Sequence, residues 1–579
     1  MKKTLAILFS AALLSLAATS CQKEELEAVN HAWKASGNWS SNVFSASFSS
    51  DNGKTSMNNE YQIVWTPGDQ IRIQNDAGQV LNYNIVEIND DGTLSKFSVP
   101  QGSDELEGDY FTATYPTSFT GASITLPETQ TYDATKHLVD FPMYAESPSH
   151  ILQFHNLCGV LELTLQQANI RVKEIIVSTD KNITGNFSVG QDGEYKCVKA
   201  EDATGNNRTA VKLDCGNGVN ITSATQFYIY LPVASFTKFD IEVVTTSGAT
   251  FTAKKNDNRA MPFQRNRVKT VSLNNLTFHK NPDNGVKGLY SVSANQRVYI
   301  AHGNLYYKLP CTHTEREITW VYPFYRDVTI TDTAGYWGFY REQWGHYHND
   351  AQTGASGDTL SFFPFGFTNS KIYNRSNEGD NTFVEWGTQA EVMSSTVNGI
   401  PRGIGNNWRT ITGDEWEYLL FQRPMVFGAP RYAAVTVTLS NGRTTKDCLI
   451  LYPDRYNPSD YAPKPNVRGE AQPVSWAEYQ QYESLGCAFL PANGFRNNGA
   501  AINEDAQVRL HILYLSSSRL PTSDGQYSKY FRGIVGNLDM DASRGDNMAM
   551  GKLAFSCGHN VRLMMNEEYG PAESLSPIL

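Results

Sequence analysis

The chain has 579 residues, and its 59 Asp and Glu outweigh 48 Lys and Arg for a net charge of −11. Nucleic-acid binding needs a basic face, and no Lys/Arg run supplies one, so nucleic acid is excluded as a partner. Hydrophobic residues at 40% and charged residues at 18% support packed cores rather than disorder, and the length suggests about three or four domains at ~150 residues each. Thirty Tyr, 28 Phe and 10 Trp make the chain aromatic-rich. Few long amphipathic helical patterns are visible, which places most of these rings in or on sheets.

Lys2 and Lys3 precede an apolar run from Leu5 to Leu16. A charged start and a short hydrophobic core read as a secretory signal peptide over residues 1–20. The run is shorter than the ~20 residues a bilayer span needs. Small residues Ala18, Thr19 and Ser20 lead into Cys21. This stretch resembles the lipobox of bacterial lipoproteins. The resemblance implies that the Cys21 sulfur carries a diacylglyceryl group and that Cys21 opens the mature chain. The membrane is then a partner through this anchor, at ~0.8 kcal/mol per buried methylene. Lys23-Glu24-Glu25 resembles the export signal that sends lipoproteins of Bacteroides-type bacteria to the outer face of the outer membrane. Seven cysteines remain, at 158, 197, 215, 311, 448, 487 and 557. They are odd in number, sparse and without a C-x-x-C pair, so buried free thiols with at most one or two bridges are expected.

Residues 21–40 read as the lipidated end and a polar tether. Phe44, Ala46 and Phe48 then alternate with Ser45 and Ser47, the period-two mark of a strand. Further strands are expected around Ile63 and Trp65, Ile71 and Ile73, and Leu81 to Ile88. Asp51-Asn52-Gly53, Thr66-Pro67-Gly68-Asp69 and Asn89-Asp90-Asp91-Gly92 are turns between them. Leu161 to Leu165, Val211 to Leu213 and Phe239 to Val243 alternate in the same way. Short strands between turn signals indicate β-sandwiches. A boundary is placed near residue 150, giving sandwiches over 41–150 and 151–278.

Ile63-Val64-Trp65-Thr66-Pro67-Gly68-Asp69-Gln70-Ile71 resembles the opening of fimbrillin-family proteins of Bacteroides and its relatives. The likeness continues at Ala113-Thr114-Tyr115-Pro116, Thr125-Leu126-Pro127-Glu128-Thr129-Gln130, Leu152 to Leu161, and Phe227-Tyr228-Ile229-Tyr230-Leu231-Pro232. It covers about residues 40–278. The family implies two tandem sandwiches that polymerise by strand exchange, with other pilus subunits as partners through a donated strand. It also implies a leader cut away after an arginine. No Arg lies between Cys21 and Arg72, and Lys34 is the nearest basic alternative.

Residues 279–285 read as a linker, 286–567 as a further domain and 568–579 as a tail. In that domain Thr412 with Glu415 and Ser475 with Glu478 are capping boxes that open two helices. The first should bury Trp416, Leu419 and Leu420, and the second Trp476, Tyr479 and Tyr482 before ending at Gly486. Strands are expected at Cys487–Pro491 and Leu510–Leu515, and Gly558–Leu563 closes the domain. Trp408-Arg409-Thr410-Ile411-Thr412, Leu490 to Arg496, Ser516-Ser517-Ser518 and Val561-Arg562-Leu563 resemble the C-type-lectin-like fold of Bacteroides surface proteins. The calcium-binding triplets of sugar-binding members are missing. The fold class is therefore mainly β: two fimbrillin-type sandwiches followed by an α+β lectin-like domain.

Trp337, Tyr340, Trp344 and Tyr347 are the candidate ligand platform, since exposed aromatic faces stack on sugars or on a partner. His346, His348 and Asp350 could share one strand face as metal ligands, but with no fourth ligand the stretch reads as a solvated loop. Asp539, Asp541 and Ser543 resemble the start of a calcium loop, yet Arg544 stands where Gly is needed and Met550 where the acid belongs. No metal or cofactor is expected. No H-E-x-x-H, G-x-S-x-G or P-loop occurs, so the chain is read as a non-enzyme. The expected function is a surface adhesin, a pilus tip or accessory subunit, whose target is a host or bacterial surface glycan or protein. The alternative is a surface glycan-binding lipoprotein that never polymerises.

Overall fold

Alternating apolar residues become strands whose buried positions follow the same beat. In Phe44–Phe48 the Phe44 and Ala46 side chains are fully buried, and Ser45 and Ser47 are not. The computed structural model describes residues 33–48, 63–134, 138–166, 169–221, 224–255, 259–308, 311–318, 325–332, 336–339, 343, 359–360, 363, 383–397, 400–440, 442, 445–467, 470–493, 496–497, 500–501, 511–519, 527–534, 550–554 and 560–572. The chain is mainly β and divides into two units, Met1–Thr277 with Ser574–Leu579, and Phe278–Glu573.

The first unit opens with β1 (Trp33–Lys34), β2 (Phe44–Phe48), β3 (Gln70–Asn75), β4 (Val80–Ile88), β5 (Leu94–Ser98), β6 (Phe111–Tyr115), β7 (Ser123–Leu126), β8 (Thr129–Thr131), β9 (Met143–Ser147) and β10 (Ile151–Asn156). Their main sheet runs β1-β4-β3-β6-β9-β10-β2-β5, and a further β4–β5 pairing closes it into a ring. Trp65 anchors the interior at 3% exposure. Its ring stacks on Phe48 at 5.0 Å and meets Phe97, Tyr115 and Phe154 edge-on at 5.0, 5.6 and 5.4 Å. The turn after it is held by Asp69, whose carboxylate accepts the Thr66 N–H at 2.7 Å.

The expected break near residue 150 falls between β9 and β10, yet β10 pairs with β2 and stays in the first barrel. The rest of the unit comprises β11 (Gly159–Gln166), β12 (Ile170–Thr179), β13 (Thr184–Asp192), β14 (Tyr195–Arg208), β15 (Ala210–Ile221), β16 (Ala224–Leu231), β17 (Ala234–Phe236), β18 (Phe239–Thr245), β19 (Thr250–Lys254), β20 (Met261–Phe263) and β21 (Val268–Asn274). Two strands of the earlier half join its sheets: β7 pairs with β13, and β8 pairs in parallel with β15. The two halves thus interlock. Gly159, where one passes to the other, has no room for a Cβ, which would lie 2.6 Å from the Gln264 carbonyl oxygen. Leu161 to Leu165 keeps the expected alternation, but β11 runs between β16 and β21 and is buried on both faces. Buried Glu162 accepts a hydrogen bond from the Gln226 amide at 3.1 Å, so its polarity is satisfied.

In the second unit both capping boxes are present, at Thr412 with Glu415 and at Ser475 with Glu478. Trp416, Leu419 and Leu420 are buried under the first helix, as are Tyr479 and Tyr482 under the second. Trp476 is only half-buried and stacks on Tyr479 at 5.0 Å. Gly486 follows the helix Trp476–Ser484 with φ +84°, and a Cβ there would lie 2.5 Å from the Gly288 nitrogen. Two buried arginines tie the unit together. Arg423 donates to Asp454 at 2.8 Å and to the Arg431 carbonyl at 2.8 Å. Arg562 donates to the carbonyls of Ala301, His302, Gln343 and Phe489 at 2.6–3.0 Å. The stretch read as a linker is paired as well. The Lys280 N–H donates to the Pro571 carbonyl at 2.7 Å, and His279 bridges to Ala572.

Gln130 on β8 uses its side-chain amide as a short piece of strand. It donates to the Tyr230 carbonyl at 2.9 Å and accepts the Tyr230 N–H at 3.1 Å. Replacing it with Ala leaves two buried backbone groups of β16 unpaired, at roughly 1–3 kcal/mol each. Gln130→Ala is expected to lower the unfolding free energy of the chain, read by urea titration, by a corresponding ~2–6 kcal/mol.

Candidate functional site: the slot filled by the second strand

The chain's early strand β2 lies between two strands that come much later. On one side it pairs antiparallel with β5, Phe44 opposite Phe97 and Ser47 opposite Leu94. On the other it runs parallel to β10, Ser45 opposite Ile151 and Phe48 opposite Phe154. Both rows of its backbone groups are therefore in use. Phe44 points inward and fills a pocket of rings, 4.9 Å from Tyr83, 5.0 Å from Phe111 and 4.3 Å from His150. Burial holds the His150 pKa below its ordinary value, so the ring beside Phe44 is neutral at pH 7. The approach to β2 is tied down too: the Ser40 N–H donates to the Val99 carbonyl at 2.9 Å, and the Ser98 hydroxyl to the Ser40 carbonyl at 3.1 Å. Two main-chain ladders and one aromatic pocket are the elements by which a sheet holds an added strand.

Burying a Phe side chain contributes about 1.5–3 kcal/mol by transfer alone. The serines of β2 contribute mainly through their backbone. The strand was legible in its alternation, but the slot it fills and the walls of that slot were not. The parallel β2–β10 register joins residues far apart in the chain, and only the fold brings them together.

The aromatic platform expected in the second unit is not assembled as an exposed surface at Trp337. That residue is 1% exposed, and its ring packs 4.9 Å from Tyr307, 5.2 Å from Phe363 and 5.6 Å from Trp386. Its faces are occupied by protein, because spacing along the sequence identifies aromatic residues without saying which side of the sheet they take. Tyr340, Trp344 and Tyr347 lie outside the described residues, as do Cys21, His346, His348, Asp350 and the 539–546 stretch. Among the described residues no group of three or more His, Cys, Asp or Glu is placed to hold a metal ion. None of the helices there is long and apolar enough to cross a membrane.

Cys158, Cys197, Cys215, Cys448 and Cys487 are free and buried. Burial raises every one of these thiols, Cys215 and Cys448 to about 12.

No protein-family model matches the chain, and no curated protein matches it. Among solved structures, a candidate cell adhesion protein from Bacteroides ovatus is 14% identical, with 37% of this chain and 86% of that one covered at a TM-score of 0.27. A second candidate cell adhesion protein, from Bacteroides fragilis, is 10% identical over 42% of this chain and 95% of that one, at a TM-score of 0.23. The tip fimbrial protein Mfa3 from Porphyromonas gingivalis is 12% identical over 40% of this chain and 92% of its own, also at 0.23.

Phe44→Ala is expected to cost about 3–5 kcal/mol in urea unfolding, against at most ~0.5 kcal/mol for Ser45→Ala. The five buried thiols are expected to resist iodoacetamide at pH 8 in the folded chain and to react fully in denaturant, read by mass spectrometry.

Proposed function

We propose that the chain is a surface adhesion subunit, delivered to the cell surface by a lipid on Cys21 and released from it by cleavage, that assembles with other pilus subunits by exchange of the β2 strand. One observation carries the reading. A five-residue strand from the beginning of the chain fills a slot whose other strands all come from beyond residue 93. Removing it would leave β5 and β10 with unpaired edges and would empty the Phe44 pocket, which suits a donated segment of alternating character. The second unit would then serve as the adhesive head, in line with its resemblance to lectin-like domains.

The slot also defines where maturation must act. A cut after Lys34 would remove β1 and leave β2 in place. Only a cut beyond Phe48 opens the slot. The rival reading, a lipid-anchored binder that never polymerises, rests on the closure of the ring, which with β2 in place leaves neither β5 nor β10 with a free edge.

The two readings separate at the mature N-terminus of protein extracted from the cell surface. Assembly is expected to give multimers whose subunits begin beyond residue 48. A synthetic peptide of residues 42–48 should block their growth, and the same peptide carrying Phe44→Asp should not. A surface product that still begins at lipidated Cys21 sinks the assembly reading and leaves the static binder.

A further inference from the structure

We infer that an open pocket on the outer face of the first barrel binds a neutral pyranose sugar, with Tyr110 as its stacking surface and Gln74, Thr112 and Asp76 as its hydrogen-bonding groups. This names a ligand class for the adhesive role proposed above and rests on that reading. The pocket has a volume of about 350 Å³, within the range of small-molecule sites.

Its floor includes Gln74 and Thr112, part of a row of side chains that runs across three strands and ends beside the pocket at Glu146. Gln74 on β3 stands opposite Thr112 on β6, and Thr112 stands opposite Glu146 on β9. The neighbours Ile73, Ala113 and Ala145 are fully buried, so the row points out of the barrel. Tyr110 leads into β6 at the rim of this row and is 45% exposed, one of few large apolar residues so open among those described. Its hydroxyl donates to Glu146 at 3.4 Å, which ties the ring to the row instead of leaving it free in solvent. Gly121 and Ala122 form the far wall and present no bulk.

The distribution of hydrogen-bonding capacity indicates the ligand. Among the described residues the side chains of Gln74 and Thr112 hold no hydrogen-bond partner. The Asp76 carboxylate accepts, among the described residues, only a long bond, from the Asp109 N–H at 3.3 Å. An amide, a hydroxyl and a carboxylate together offer donors and acceptors to vicinal hydroxyl groups. The ring beside them offers a face to the C–H side of a sugar. The cation of the lining, Lys196, is already committed: it donates to Glu146 at 2.7 Å and lies 4.6 Å from the centre of the Tyr144 ring. With Lys196 paired to Glu146, Asp76 is the unpaired charge among the lining side chains, and the nearby Arg72 guanidinium is turned to the Thr120 carbonyl at 3.5 Å. An anionic sugar or a phosphate would meet repulsion there, and a neutral sugar would not.

The test uses the full-length chain and titrates methyl galactoside, N-acetylglucosamine, mannose and sialyllactose in the millimolar range, read by saturation-transfer NMR and calorimetry. At least one neutral sugar is expected to bind. Tyr110→Ala should weaken it about tenfold, and Asp76→Ala and Thr112→Val each roughly threefold to tenfold. Circular dichroism should show all three variants folded. Binding that is absent for every neutral sugar, unchanged in Tyr110→Ala, or as strong for sialyllactose overturns the assignment. Assembly by strand exchange is scored separately. A chain that polymerises and binds no sugar refutes the pocket alone, and one that binds sugar and never polymerises refutes the exchange alone.

Discussion

The first barrel depends on main-chain pairing along a single short strand. Among the described residues only β2 pairs with both β5 and β10, and without it the ring of strands has a gap. Each buried backbone group left without a partner costs more than the hydrogen bond it makes contributes, so the gap cannot simply stay empty in water-excluded surroundings. The inward residues of β2 extend this dependence from the sheet to the core, since Phe44 packs against rings carried by β4 and β6 and by the turn before β10. The strand is short and connected on both sides, the combination that the proposed exchange requires.

The rest of the first unit is coupled to that strand through shared sheets. The β7 and β8 segments leave the barrel's sequence and enter sheets of the following half. The Gln130 amide then joins the β8 sheet to β16, which belongs to another. Shared strands make the two halves one cooperative body, with a common core that includes Phe187, Val198, Tyr228 and Tyr230 beside Trp65 and Phe111. A change at the β2 slot is therefore felt by a larger packed mass than one sandwich.

Local pattern made much of this legible. The alternation in Phe44–Phe48 and Gln70–Asn75, and the serine and threonine caps with glutamate three residues on, all act within a few residues and so are visible in the chain. What escaped was non-local or too short to show a period. Ser123–Leu126 and Thr129–Thr131 span four and three residues between turn signals, and nothing in them says which half they join. Gln130 reads as an ordinary polar strand residue until the fold shows its amide paired with a backbone. Trp337 shows the opposite limit. Its neighbours in sequence are aromatic and Gly-rich, which fits an exposed platform as well as a packed one, and burial decides. The Gln74, Thr112 and Glu146 row is likewise hidden in sequence, because it exists only across three strands.

The second unit begins and ends at the same seam, where His279 and Lys280 meet Gly570, Pro571 and Ala572. A body whose two chain ends are stitched side by side behaves mechanically like a loop drawn shut by its own string. It can be spliced into the surface loop of an unrelated scaffold without prying that scaffold apart, since the gap it asks its host to bridge is the width of one pair of strands.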